Sequence, residues 1–190
     1  MTVTAESDED LIERYGRGDA AAFETLYRRH EMRIWRYLQR HVNNRAIADE
    51  LMQEVWFAVA RDAQRYEATA RFTTWLFTIA HNRMIDSIRK SRRQTSLDTL
   101  GHEAEAVVQQ LTADPRAGPF AAAVAQDQAG GLARALEKLP AEQREAFLLQ
   151  AEGGLSVEEI AAMTDSSFET TKSRLRYART KLRELLEEYA

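Results

Sequence analysis

Six cations lie between Lys172 and Arg183 with no acid among them. Lys172, Arg176, Arg179 and Arg183 recur at i, i+4, i+7 and i+11, which on a helix aligns them as one stripe. Ser173, Arg174 and Tyr177 lie beside it. Ahead of this stretch, Ser156-Val157-Glu158-Glu159 has the form of a capping box, in which Ser takes the amide three residues on and Glu159 reaches back. A tight turn, Asp165-Ser166-Ser167, separates the two. A capped short helix, a turn and a longer basic helix form a helix-turn-helix. The start of the second helix would enter the major groove, where Arg and Lys can meet guanine O6 and N7. Its later cations would meet phosphates, which position a protein without reading sequence. A solvated basic face on an ordinary surface helix is the bland alternative; it does not account for the cap and turn.

Two further groups could bind rather than catalyse. Asp49, Glu50, Gln53 and Glu54 form an acidic-amide face on a helix whose other side carries Ile47, Leu51, Val55 and Ala58. On residues alone this face is either solvated or covered by a partner. In the third group, Tyr66 and Arg71 bound a short irregular loop. It precedes a helix crowded with Phe72, Trp75, Leu76, Phe77, Ile79, Met84, Ile85 and Ile88 and interrupted by Asn82, Arg83 and Arg89. Aromatics among cations can stack unpaired bases, each stack being worth ~1–3 kcal/mol; the same residues equally suit core packing. No enzyme is expected. His30, His41, His81 and His102 fall in no metal-ligand spacing, and no phosphate loop or nucleophile motif is present. Neither metal nor cofactor is called for.

The elements that must position these groups read as helices with short breaks, and no run alternates long enough for a strand. Asp19 caps a helix reaching about Arg40, and Asn43-Asn44 ends it. A second helix spans about Arg45 to Asp62 and a third about Thr73 to Arg92. Helices resume at Leu132. Pro140 suits the first turn of a helix ending at Gly153-Gly154. The final helix runs from about Phe168 to Glu188, with Leu175, Ala178, Leu182 and Leu186 facing the core. The 190 residues are 44% apolar and 29% charged, which fits a globular all-α chain of one or two domains. The absence of cysteine excludes disulfides and a thiol nucleophile. No apolar run approaches the ~20 residues of a membrane span, and the acidic start has no signal-peptide core, so the cytoplasm is expected.

The overall charge of −4 conceals its distribution. From His81 to Arg93 five cations oppose one acid; from Gln94 to Gly131 five acids oppose Arg116 alone. Residues 94–131 also hold Asp114-Pro115, Gly118-Pro119 and Gly130-Gly131 and few large apolar side chains. They are expected to be an acidic linker between a first domain, 1–93, and a second, 132–190.

Taken in this order, the chain resembles the extracytoplasmic-function (ECF) sigma factors, a small two-domain branch of the sigma-70-type family. Ala48-Asp49-Glu50-Leu51-Met52-Gln53-Glu54-Val55-Trp56 is similar to the family's acidic helix, which docks on the β′ clamp helices of core RNA polymerase. Phe72-Thr73-Thr74-Trp75-Leu76-Phe77-Thr78-Ile79-Ala80-His81-Asn82 is similar to the segment that opens the minus-ten element. There the preceding loop captures a flipped base and the Asn helps recognise it; Tyr66 and Asn82 are the matching positions. Leu139-Pro140-Ala141-Glu142-Gln143-Arg144-Glu145-Ala146-Phe147 is similar to the opening helix of sigma domain 4. Gly154-Leu155-Ser156-Val157-Glu158-Glu159-Ile160-Ala161 and Thr170-Thr171-Lys172-Ser173-Arg174-Leu175 match its helix-turn-helix.

The resemblance implies that Asp49, Glu50, Gln53 and Glu54 bind polymerase. It implies minus-ten contacts by Tyr66, Arg71, Asn82, Arg83 and Arg89. Minus-thirty-five contacts fall to Lys172, Ser173, Arg174, Arg176, Tyr177 and Arg179. It also implies docking on the β flap, a linker threading the polymerase interior, and an anti-sigma factor as regulator, with no small-molecule substrate and no membrane insertion.

The chain departs from the family pattern in places. Ile47 stands where the acidic run usually begins with Asp, leaving fewer carboxylates for the clamp. Asp165 replaces a common Gly in the turn, and Asp tolerates the left-handed conformation. Glu169 also replaces a frequent Gly; it suits a helix N-terminus but repels phosphate. Thr78-Ile79 replace the Trp pair of housekeeping sigma factors, which implies a stricter demand on promoter sequence. The competing readings are a helix-turn-helix regulator that binds DNA alone and a module whose basic helix binds an acidic protein.

Overall fold

The computed structural model describes residues 6–97 and 130–187. Helix α1 (Asp8–Gly16) starts at Ser7, whose hydroxyl accepts the Asp10 N–H. Helix α2 (Ala20–Val42) is capped by Asp19 and stops where Asn43 turns left-handed, at φ 47°. Asn44 then caps α3 (Arg45–Asp62) by accepting the Ile47 N–H. A 3-10 turn, Ala63–Arg65, and the Tyr66–Arg71 loop lead into α4 (Phe72–Leu97). The core of this half buries Ile12, Leu26, Ile34, Tyr37, Leu51, Val55, Phe72, Phe77 and Met84. Each large apolar side chain so buried contributes roughly 1.5–3 kcal/mol.

The second half begins with α5 (130–137) and continues with α6 (Ala141–Ala151), α7 (Val157–Met163) and α8 (Phe168–Glu187). Gly154, at φ 65°, takes the left-handed conformation that lets the chain leave α6 and enter the α7 cap. Ser156 and Glu159 complete the capping box, and Asp165 is left-handed at φ 49°. Ile160, Leu175, Ala178 and Leu182 close the core, which is continuous with that of the first half.

Some expectations need correction. Helix α1 was not expected. Helix α4 runs on to Leu97 and α5 starts at 130, so helix extends into both ends of the anticipated linker; the rest of it, 98–129, lies outside the described residues. Pro140 is the N-cap of α6 rather than part of its first turn. Leu186 is exposed and Leu185 is buried instead. At 100° per residue the α8 stripe centres on Thr171 and Ala178, so Leu186 falls at its rim.

Candidate functional site

Helix α3 presents its polar residues outward because Leu51, Val55, Ala58 and Val59 take the opposite side into the core. Asp49, Glu50 and Gln53 are exposed and Glu54 is half-buried. Trp35 of α2 donates its indole N–H to Asp49 at 2.8 Å, and Arg45 lies 3.8 Å from the same carboxylate. Phe57 continues this face and is 73% exposed, an apolar side chain directly beside the carboxylates.

The Tyr66–Arg71 loop is held by its own side chains. The Tyr66 hydroxyl donates to the Ala70 carbonyl at 2.8 Å, and its ring packs 5.1 Å from Trp75. Burial, with the Glu9 and Asp8 carboxylates nearby, raises its phenol above the ordinary value. Glu9 accepts the Phe72 N–H at 2.7 Å, so α1 satisfies the first amide of α4. Asn82 is exposed on α4. Arg83, Asp86, Ser87, Arg89 and Lys90 line a polar groove with Glu54, which joins the α4 cations to the edge of the α3 face.

Arg71 differs from the other loop residues. Its guanidinium pairs with Glu159 of α7 at 2.6 Å and donates to the Gly154 carbonyl at 3.1 Å. Burial acts to raise the Glu159 carboxyl, but hydrogen bonds from Arg71, Thr74 and the Ser156 N–H outweigh it and hold the pKa at about 2.

Helix α8 starts with Ser167, whose hydroxyl accepts the Thr170 N–H at 3.1 Å. Thr171 is buried and hydrogen-bonded to Ser166 at 2.7 Å, which fixes the turn against the helix. Lys172, Arg176, Tyr177 and Arg179 are exposed; Ser173 and Arg174 are half-buried. Lys172 sits 5.8 Å over the Phe168 ring, and Arg176 lies 5.0 Å over Tyr177. Arg179 is bonded to Gln150, and Arg174 lies 3.9 Å from Glu142. The cations are therefore ordered by light, solvent-exposed contacts that a phosphate or base edge could replace. Between α5, α6 and α8, Leu132, Phe147, Leu182 and Leu186 line an apolar groove rimmed by Arg179 and Arg183.

Sequence reasoning missed one cluster. Arg33, Arg36 and Arg40 of α2 surround Glu152, which ends α6. Their i, i+3, i+7 spacing was visible as a basic stripe, but a stripe alone reads as solvated. No cluster of metal-ligating side chains occurs among the described residues, and no described helix is long and apolar enough to cross a membrane.

Residues 26–94 match the family model for sigma-70 region 2, and residues 130–182 match that for sigma-70 region 4. The chain is 36% identical over 181 residues to RNA polymerase sigma factor CarQ of Myxococcus xanthus, covering 93% of this chain and 96% of that one. It is 29% identical to the ECF RNA polymerase sigma factor SigK of Mycobacterium tuberculosis, covering 95% of each. Among solved structures it resembles the sigma factor RpoE of Bartonella quintana, seen in complex with the anti-sigma factor NepR. That match has a TM-score of 0.68 and 26% identity over 87% of this chain and 96% of that one. It shares its fold with CnrH, seen in complex with the cytosolic domain of CnrY, at a TM-score of 0.66 and 23% identity over 97% and 100%.

Proposed function

The chain belongs to the ECF branch of the sigma-70-type RNA polymerase sigma factors, and we propose that its two helical units divide the work of promoter-directed initiation. Such a factor directs core RNA polymerase to specific promoters. The first unit, 1–93, docks on polymerase and captures unpaired minus-ten bases. The second, 132–190, reads the minus-thirty-five duplex, and the acidic linker 94–131 that joins them threads the polymerase interior.

In this division Asp49, Glu50, Gln53 and Glu54 meet the β′ clamp helices, with Phe57 adding an apolar contact beside them. Tyr66, Arg71, Asn82, Arg83 and Arg89 hold the opened strand. Lys172, Ser173, Arg174, Arg176, Tyr177 and Arg179 face the upstream major groove. The apolar groove between α5, α6 and α8 takes the β flap. The linker's acids suit basic channel walls.

The chain contributes no covalent chemistry. Melting is driven by binding energy for bases flipped out of the stack, and the polymerase synthesises RNA. It acts in the cytoplasm and is held in check by an anti-sigma factor, as the RpoE relative is bound by NepR.

The outward polar face of α3, whose other side is wholly core, carries this reading most directly. A regulator that binds DNA alone leaves that face and Phe57 without a partner. Retention on immobilised core polymerase tests it: the wild-type chain is retained and Glu50→Lys/Gln53→Lys is lost. Equal retention of both would contradict the docking assignment.

A further inference from the structure

The end of α6 is pressed against the first domain. Glu152 is only 6% exposed, yet it is a carboxylate. Arg40 reaches it at 2.5 Å and Arg36 at 2.9 Å, while Arg33 donates its Nε to the Glu152 main-chain carbonyl at 2.6 Å. The next residue leaves no room for a side chain. A Cβ on Gly153 would lie 2.4 Å from the Leu149 carbonyl oxygen and 3.3 Å from the Phe77 ring of α4.

Two more carboxylates cross between the halves. Glu159 accepts from Arg71 at 2.6 Å and from Thr74 at 2.5 Å, and Glu145 lies 3.0 Å from His81. The groups are complementary. A buried carboxylate without cations is strongly unfavourable, and three arginines on one face of α2 repel each other without an anion. Each half supplies what the other lacks.

We propose that the α2 arginine cage together with Arg71 and Thr74 is a receptor for the chain's own second domain, and that the free chain closes on itself there. The closed form withholds the promoter-reading loop, because the Arg71 guanidinium is already engaged by Glu159 and Gly154. It also cannot span a promoter. Elements centred near minus ten and minus thirty-five lie roughly 85 Å apart along duplex DNA at about 3.4 Å per base pair. A compact chain of this length has a radius of gyration of only about 16 Å. Closure itself stands on the contacts above; its consequence for promoters rests on the DNA-binding roles proposed for Arg71 and α8.

Glutamine variants separate the lock from the fold. Glu159→Gln keeps the capping box, since Gln serves equally at that position, but removes the charge facing Arg71. Glu152→Gln keeps the shape of the buried side chain. With no native cysteine, Gln64→Cys and Thr180→Cys provide a dye pair at exposed sites, one in each half. Single-molecule energy transfer on the free full-length chain should show one high-transfer population. In Glu152→Gln/Glu159→Gln the closed-to-open ratio should fall at least about tenfold. Should the double variant fail to fold, Glu159→Gln alone should still lower the ratio about threefold.

Low transfer in the unmodified lock, or a ratio unmoved by either variant, would overturn the proposal. So would transfer that appears only between singly labelled chains, which would put a second copy in the receptor. In transcription at limiting core polymerase the opened double variant should give severalfold more transcript. Equal transcript from both forms would overturn the withholding role. Transcript from neither form, with closure intact, would instead contradict the sigma-factor reading.

Discussion

Trp35 of α2 donates its indole N–H to Asp49 of α3 at 2.8 Å, so the first carboxylate of the proposed docking face is oriented from the neighbouring helix. Trp35→Phe keeps an aromatic ring there and removes the donor. Its affinity for core polymerase should drop about fivefold, the size expected for one hydrogen bond. Titration of labelled chain against core polymerase checks this, and unchanged affinity would show that Asp49 needs no orienting.

The division of labour separates by substitution. Asn82 is exposed on α4 and Arg176 is exposed on α8. Asn82→Ala should impair opening of the minus-ten region, read by permanganate reactivity of unpaired thymines, and leave upstream duplex binding intact. Arg176→Ala should cost about 1–3 kcal/mol of duplex binding, the worth of a good base contact, and spare capture of the unpaired strand on a pre-melted template. Losses of equal size in both assays would contradict the separation.

Duplex binding by α8 should depend on salt as a phosphate-contacting helix does. With about four phosphates neutralised, the log-log slope is expected near −3.6, and Arg179→Ala should reduce its magnitude by about 0.9. A slope close to zero would favour a basic face that binds protein rather than DNA.

The second half was largely legible in the sequence because its signals are local. Ser156 and Glu159 lie three residues apart, and Asp165 sits at the one place in the turn where φ is positive. Asn43 ended α2 in the same way. Helix α1 was not legible: it carries three acids in its first turn and buries only Leu11 and Ile12, too little apolar surface to show a period. The arginine cage was invisible for a different reason. Its partner Glu152 lies 112 to 119 residues away in the chain, so neither side reveals the other. The same distance hid the second role of Glu159, which local reading had already satisfied with a cap.

Acid should loosen the protein through His41. Its half-buried ring packs 4.6 Å from that of Tyr37, and Nδ1–H donates to the Tyr37 carbonyl at 2.8 Å. Burial lowers its pKa from 6.5 to about 4, so the neutral ring is the folded form. The unfolded chain binds the extra proton between those values. The contribution, of order 3 kcal/mol, is therefore present above about pH 6.5 and is lost as pH falls toward 4. Thermal melts across that range should show the decline, and His41→Phe should flatten it. A parallel decline in the variant would assign the effect to other groups. Glu159, depressed to about 2, acts lower, its contribution fading below about pH 4.5.

In the proposed division of labour, the outward carboxylate face on α3 and the outward cation stripe on α8 together make core polymerase promoter-selective. Run-off transcription with purified core polymerase and a library of promoter fragments measures this in one step. Transcripts with defined start sites are expected from a subset of fragments, and they should be lost with either Gln53→Lys/Glu54→Lys or Lys172→Ala/Arg176→Ala. Start sites that are the same with and without the chain, or transcription that survives both substitutions, would contradict it.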